Sequence, residues 1–232
     1  MGKRIISQRR GRGTHTYKVK RKAFKFKIQY PPKLEGDMEV IKLFNSPAHT
    51  APLAKIKYSA GTFYIPATKG MFESQKIKSG GKEIKEGNII ELKNIPMKTP
   101  IYCIESRPGD GGKFMKSGGN SAEINRITED SIFVLFPSKK EKKLNSNCRA
   151  IIGVSAGSGR LDKPVMKAGK KHHIKRSKSK LWPRTSAVKM NAIDHPFGSG
   201  RAKNVKSKIA KRNAPPGRKV GLLRPRRTGK RK

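Results

Sequence analysis

The apolar residues of this chain come in short runs and not in helical stripes. IKLF (41–44), LAKIKY (53–58), TFYIPA (62–67), NIIEL (88–92), PIYCIES (100–106), SAEINRI (121–127), SIFVLF (131–136) and RAIIGVS (149–155) are rich in Ile, Val, Phe and Tyr and partly alternate. That is the pattern of half-buried strands. Breakers rich in Gly and Ser separate them: SAG (59–61), SGGKEIKEGN (79–88), RPGDGG (107–112), SGGN (117–120) and SAGSG (155–159). The runs form two groups that divide near 100–107. This predicts a mainly β fold of two small barrels, since closure removes exposed strand edges. Helical signal is scarce; TKGMFESQKI (68–77) is expected to hold one short turn.

Charge changes this picture. The 232 residues hold 56 Lys/Arg against 15 Asp/Glu, a net charge of +41. Self-repulsion of that size opposes compaction unless a polyanion neutralises it, and counterion release from a phosphate backbone drives such binding. Residues 1–34 hold 12 Lys/Arg and no acid, and residues 163–232 hold 24 with Asp194 the single acid. Residues 35–162 hold the other 20 bases and 14 acids. A folded centre therefore carries two basic arms. The arms, RRGRG-containing residues 1–27 and the Gly-, Pro- and base-rich 197–232, cannot bury enough apolar area to offset backbone entropy. They are expected to be disordered alone and to order against phosphate. Both ends being basic, nucleic-acid contact is favoured over a solubilising tail. No apolar run of about 18 residues predicts a membrane-spanning helix, and MGKRIISQRRGRGTH has no apolar core of a secretory leader. Cys103 and Cys148 stand far apart without a Cys or His at metal-ligand spacing, so reduced thiols and no metal site are expected.

Four segments carry candidate chemistry. RPGDGGK (107–113) reads as a glycine nest whose backbone N–H groups approach phosphate, flanked by Arg107 and Lys113. Its simpler reading is a β-turn shaped by Asp110. In GSGRLDKPVMKAGKKHHIKRSKSK (157–180), Arg160, Lys163, Lys167, Lys170, Lys171, Lys175 and Arg176 read as phosphate contacts that position without reading sequence, with His172 and His173 as extra donors. Trp182 either stacks on an unpaired base or anchors a loop to a barrel, the second being favoured. Asp194-His195 is the tempting catalytic pair. It lacks a nucleophile at fixed spacing and a metal set, and Pro196 biases His195 toward extended backbone; a hydrogen-bonding or stacking role on RNA is expected. In PPGRKVGLLRPRR (215–227), Arg218, Lys219, Arg224, Arg226 and Arg227 neutralise phosphate along a Pro-stiffened chain. A nuclear localisation signal is the rival reading.

Several of these segments share one resemblance. KMNAIDHPFGSGR (189–201) resembles the signature of large-subunit ribosomal protein two, the universal L-two family. NIPMKTPIYCIESRPGDGGKFMKSGG (94–119), NCRAIIGVSAGSGRLDKPVMKAGK (147–170), LWPR (181–184) and NAPPGRKVGLLRPRRTG (213–229) agree in the same order. The opening MGKRIISQRRGRGT and Phe197 resemble its archaeal–eukaryotic branch. Ser199 replaces the middle glycine of the family's Gly triplet, Ala192 its proline, and His49 a common arginine.

The resemblance implies an OB-like barrel followed by an SH3-like barrel, with long basic extensions entering rRNA. The corresponding boundaries are 1–34 for the N-terminal extension, 35–103 and 104–175 for the barrels, and 176–232 for the C-terminal segment. It implies a non-enzymatic, cytoplasmic ribosomal constituent that supports the peptidyl-transferase region, subunit association and tRNA binding. Its partners would be large-subunit rRNA, neighbouring ribosomal proteins and the small subunit, with no membrane and no small-molecule substrate. No cofactor is implied, rRNA-bound magnesium being the one ion allowed nearby. Further RNA-binding candidates in these segments are Arg9, Arg10, Arg12, Lys116, Arg184, Asn191, Arg201 and Arg212, together with His195. Two other functions fit the basic arms less well. One is an architectural DNA-binding protein, and the other a hydrolase or transferase using His195.

Overall fold

The computed structural model describes residues 2–129, 131–199 and 208–223. The chain divides into a β unit, Arg21–Ala168, and a terminal unit made of Met1–Lys20 and Gly169–Lys232. In the β unit, β1 (Gly36–Phe44), β2 (Leu53–Tyr58), β3 (Gly61–Pro66), β4 (Lys76–Ser79), β5 (Ile89–Glu91), β6 (Pro100–Tyr102), β7 (Ala122–Ile127), β8 (Ser131–Leu135), β9 (Glu141–Asn145) and β10 (Arg149–Ile152) make one sheet. Its order is β3-β2-β1-β4-β5-β10-β6-β7-β8-β9. The β4–β5 pair is parallel, and the pairs flanking it on both sides are antiparallel. The fold is mainly β, as its short apolar runs predict.

The middle of the sheet explains why its strands read as unbroken apolar runs. Successive side chains of a strand point to opposite faces. Ile89 of β5, Ile151 of β10 and Tyr102 of β6 enter one core with Val40, Ile56 and Ile65. Their neighbours Ile90, Ile152 and Ile101 enter a second core with Ile124, Ile132 and Val134. The three strands are a wall shared by two cores, so both alternating positions must be apolar.

Other parts differ from the sequence expectation. Residues 68–77 hold no helix: they run through turns with Gly70 and Ser74 at positive φ, and β4 then pairs with β1 from Glu39↔Lys76 to Gly36↔Ser79. β9 pairs with β8 at the sheet's edge and buries only Leu144; lysine-rich edges of this kind deter pairing with other chains. Within the expected N-terminal extension, Ile28, Tyr30 and Leu34 are buried in the first core.

The terminal unit contains α1 (Ile6–Gly11), α2 (Ala168–Ser177) and a short parallel pair, β11 (Ile209–Ala210) with β12 (Leu222–Leu223). α1 and the β11–β12 pair are regular elements in arms where the sequence predicts none. Neither helix buries a residue. α2 has no apolar stripe, Ile174 being its one large apolar side chain, and sets Lys171 and Lys175 one turn apart, so it gains little from an apolar face and loses from like-charge repulsion. Trp182 belongs to neither β core. It lies instead beside α2, with the Lys171 ammonium 5.7 Å from its ring centre and the His172 ring 6.5 Å away. The indole therefore partners a helix, not a barrel.

Candidate nucleic-acid interface

The RPGDGGK turn is built around carboxylates. Asp110 Oδ2 accepts from the Ser106 amide at 3.0 Å, the Ser106 hydroxyl and the Arg107 amide at 3.3 Å, and Oδ1 accepts from Gly112 N–H at 3.1 Å. Burial pushes this carboxyl upward, but the hydrogen bonds from Ser106, Gly112 and Arg107 together outweigh it and hold Asp110 below its ordinary range. Gly111 N–H donates at 3.0 Å to Glu105, which is fully buried. The Gly111 and Gly112 amides, expected to face phosphate, are thus occupied by the protein's own acids. Glycine is needed here for another reason. A Cβ on Gly111 would stand 2.1 Å from Gln29 Cγ, and one on Gly112 would stand 2.5 Å from the Cys103 carbonyl. Arg107 and Lys113 remain exposed at the rim.

Behind the turn, Glu105 pairs with Arg149. Arg149 Nη2 donates to Oε1 at 2.9 Å and the Arg149 amide to Oε2 at 2.8 Å. The same Nη2 reaches the Pro31 carbonyl at 3.0 Å, and the guanidinium lies 5.0 Å from the Tyr30 ring centre. Tyr30 Oη donates toward the carbonyls of Cys103 (3.0 Å) and Arg149 (2.9 Å). Lys116, expected on RNA, is half-buried and donates to the Ile28 carbonyl at 2.9 Å. Burial is the main cause that holds its pKa below the ordinary lysine value. Arg149, Glu105 and Tyr30 escaped sequence reading, because nothing local marks a pair 44 positions apart.

The terminal unit gathers charge. Residues 1–20 hold 7 Lys/Arg, residues 169–232 hold 22, and Asp194 is the single acid. The Lys3 amide donates to the Ile193 carbonyl at 2.7 Å, joining the start of the chain to its C-terminal segment. A cavity of about 1010 Å³ is lined by Lys3, Arg4 and Arg12 from one end and His195 and Arg218 from the other. A second, of about 530 Å³, is lined by Arg9, Arg184, Asn191, Asp194 and His195 among others. His195 borders both. Five expected residues besides His195, namely Arg9, Arg12, Arg184, Asn191 and Arg218, therefore converge. Lys3 and Arg4 join them unforeseen, although the acid-free N-terminus was their signal.

Around His195 the backbone winds into consecutive turns, not the extended loop its proline suggests. The Asn191 carbonyl accepts from Asp194 N–H (3.0 Å) and His195 N–H (3.3 Å), and Gly198 N–H donates to the His195 carbonyl at 2.9 Å. A Cβ at Gly198 would stand 2.4 Å from the Asn191 carbonyl oxygen. The Phe197 amide donates to His195 Nδ1 at 3.0 Å. With Nδ1 accepting, a neutral ring carries its proton on Nε2 and presents a donor, not a base. Among the described residues no ion pair joins Asp194 to His195, and no group of three or more His, Cys, Asp or Glu stands ready to hold a metal. Long-range ¹⁵N–¹H correlations of the His195 ring should show protonated Nε2 and unprotonated Nδ1. The reverse tautomer would restore a general-base reading.

Of the remaining expected residues, Arg10, Lys163, Lys167, Lys170, Lys171, Arg176, Arg212 and Lys219 are exposed. Lys175 is half-buried on α2. Arg160 is exposed, with Nε donating to the Gly118 carbonyl at 3.0 Å. Arg201, Arg224, Arg226 and Arg227 lie outside the described residues.

Fold and charge together define a class: a strand-rich, strongly cationic protein whose terminal segments are almost free of acid. Residues 85–217 match the family model described as Ribosomal Proteins L2, C-terminal domain. The chain is 46% identical to the large ribosomal subunit protein uL2 of Archaeoglobus fulgidus and 44% identical to that of Methanothermobacter thermautotrophicus, over the full length of both chains in each case. It is 41% identical to that of Natronomonas pharaonis, over 99% of this chain and 97% of the relative. The chain belongs to the ribosomal protein L2 family.

Proposed function

We propose that this protein is a structural, non-enzymatic constituent of the large ribosomal subunit, working in the cytoplasm as a primary rRNA-binding protein. The observation that carries the rRNA reading is the convergence of acid-poor segments from both chain ends on the two cavities beside His195. Such a surface repels itself until phosphate fills it. The β unit docks as two barrel-like halves that divide near residue 103, and the basic segments 1–20 and 176–232 thread into rRNA. Order gained on binding holds RNA in the peptidyl-transferase region and supports subunit association and tRNA binding. His195 contributes a hydrogen-bond donor to that RNA, not proton transfer. Neighbouring ribosomal proteins and the small subunit are the protein partners.

Crosslinking in cells, followed by sequencing of the attached RNA, tests this reading. Reads concentrated at a few large-subunit rRNA sites, including the peptidyl-transferase neighbourhood, are expected. Reads scattered over many RNAs, or mostly over DNA, would mean general nucleic-acid packaging.

A further inference from the structure

The segment RKAFKFKI (21–28) enters the β unit with aromatic and cationic residues interleaved. Ala23 and Ile28 are buried, yet Phe24 between them is 51% exposed. Ile28 bridges to Tyr64, and the Gln29 amide donates to the Tyr64 carbonyl at 3.1 Å, so the segment is fastened to β3. Its rings therefore have a fixed place. Phe26 lies 4.6 Å from Phe44 and 4.9 Å from Tyr64, centre to centre, and Phe44 and Tyr64 are 5.9 Å apart. All three are half-buried. Phe24 meets the His49 ring edge-to-face at 5.5 Å, an arrangement that steadies it while half its surface meets water. His49 is itself held by Ser46 Oγ, 2.8 Å from Nδ1.

The surrounding charge selects an occupant. Lys22, Lys25 and Lys27 are exposed in the same segment, Lys25 Nζ lies 5.6 Å from the Phe26 ring centre, and residues 21–34 contain no acid. An apolar partner protein would have to desolvate these ammonium groups. An unpaired nucleotide would not: its base offers a π-face to the ring while its phosphate meets lysine. A duplex keeps its base faces buried and offers phosphate alone. Phenylalanine has no polar atom, so contact here tolerates any base.

We propose that Phe24, with the Phe26–Phe44–Tyr64 cluster beside it, is a stacking platform for unpaired RNA bases. The proposal rests on the rRNA-binding reading and adds a preference that phosphate neutralisation alone does not give. Base–aromatic stacking is worth about 5- to 150-fold in affinity per base.

The test titrates full-length protein into a single-stranded oligoribonucleotide carrying 2-aminopurine, and into the duplex of the same sequence. Wild-type protein should quench the 2-aminopurine on binding the single strand. Phe24→Ala and Phe24→Leu should each lose about 5- to 150-fold on the single strand, while duplex affinity and the salt slope stay unchanged. Phe24→Trp should restore quenching and affinity. Phe24→Leu keeps apolar packing and removes only the π-face, which separates stacking from a folding defect. Equal losses on both RNAs with Phe24→Leu, or no loss on either, would overturn the platform while leaving rRNA binding intact. Wild-type protein that bound neither RNA would overturn the underlying reading.

Discussion

Binding of the full chain to large-subunit rRNA should weaken by about 10³–10⁵-fold as monovalent salt rises from about 50 to about 200 mM, given roughly six to ten phosphate contacts. The expectation follows from how charge is distributed. The β unit has acids to offset part of its bases, whereas the terminal unit has Asp194 alone among its acids. Each lysine or arginine that seats on a phosphate releases a condensed counterion, and added salt reverses that release by mass action. Barrel surfaces docking by shape would carry little of this dependence. Filter binding or anisotropy across a salt series measures the slope, and a nearly flat profile would contradict a phosphate-dominated interface.

Replacing Arg149 with alanine should cost about 3–5 kcal/mol of stability, a large share of the roughly 5–15 kcal/mol that holds a domain folded. Glu105 has no exposed surface, and Arg149 is its only ion-pair partner among the described residues. The alanine variant leaves the carboxylate buried with backbone donors alone. It also removes the Pro31 contact and the cation over Tyr30, so the segment before β1 loosens. Urea unfolding of the full chain measures the loss. Glu105→Gln combined with Arg149→Met should recover much of it, because the neutral amide removes the orphaned charge and still offers an acceptor to the backbone donors. A loss below about 1 kcal/mol for Arg149→Ala, the level of an exposed pair, would show that water reaches Glu105 after all.

Legibility in the sequence followed the physics of burial. NIIEL, PIYCIES and RAIIGVS announced themselves because both faces of β5, β6 and β10 are covered. β4 and β9 did not, since KIKS and EKKLN carry lysine on their outer face. α2 was invisible because no apolar stripe marks a helix that buries nothing. Tyr30 looked like part of a basic arm; its burial depends on Cys103 and Arg149, remote in sequence. The acid-poor character of both ends points to Arg9, Arg12, Arg184 and Arg218, but not to their meeting at His195, which is a matter of chain path. RPGDGGK looked like a phosphate nest because spacing cannot say that Glu105 and Asp110 already claim its amides.

The shared wall of β5, β10 and β6 has a consequence for how this protein can be divided. β10 lies between two strands that precede it by some fifty residues, and it lines both cores at once. A cut anywhere between β6 and β10 leaves one half without its wall and the other with an apolar strand face open to water. The two halves should therefore gain or lose structure as one cooperative block, and a single urea transition for both cores would show it.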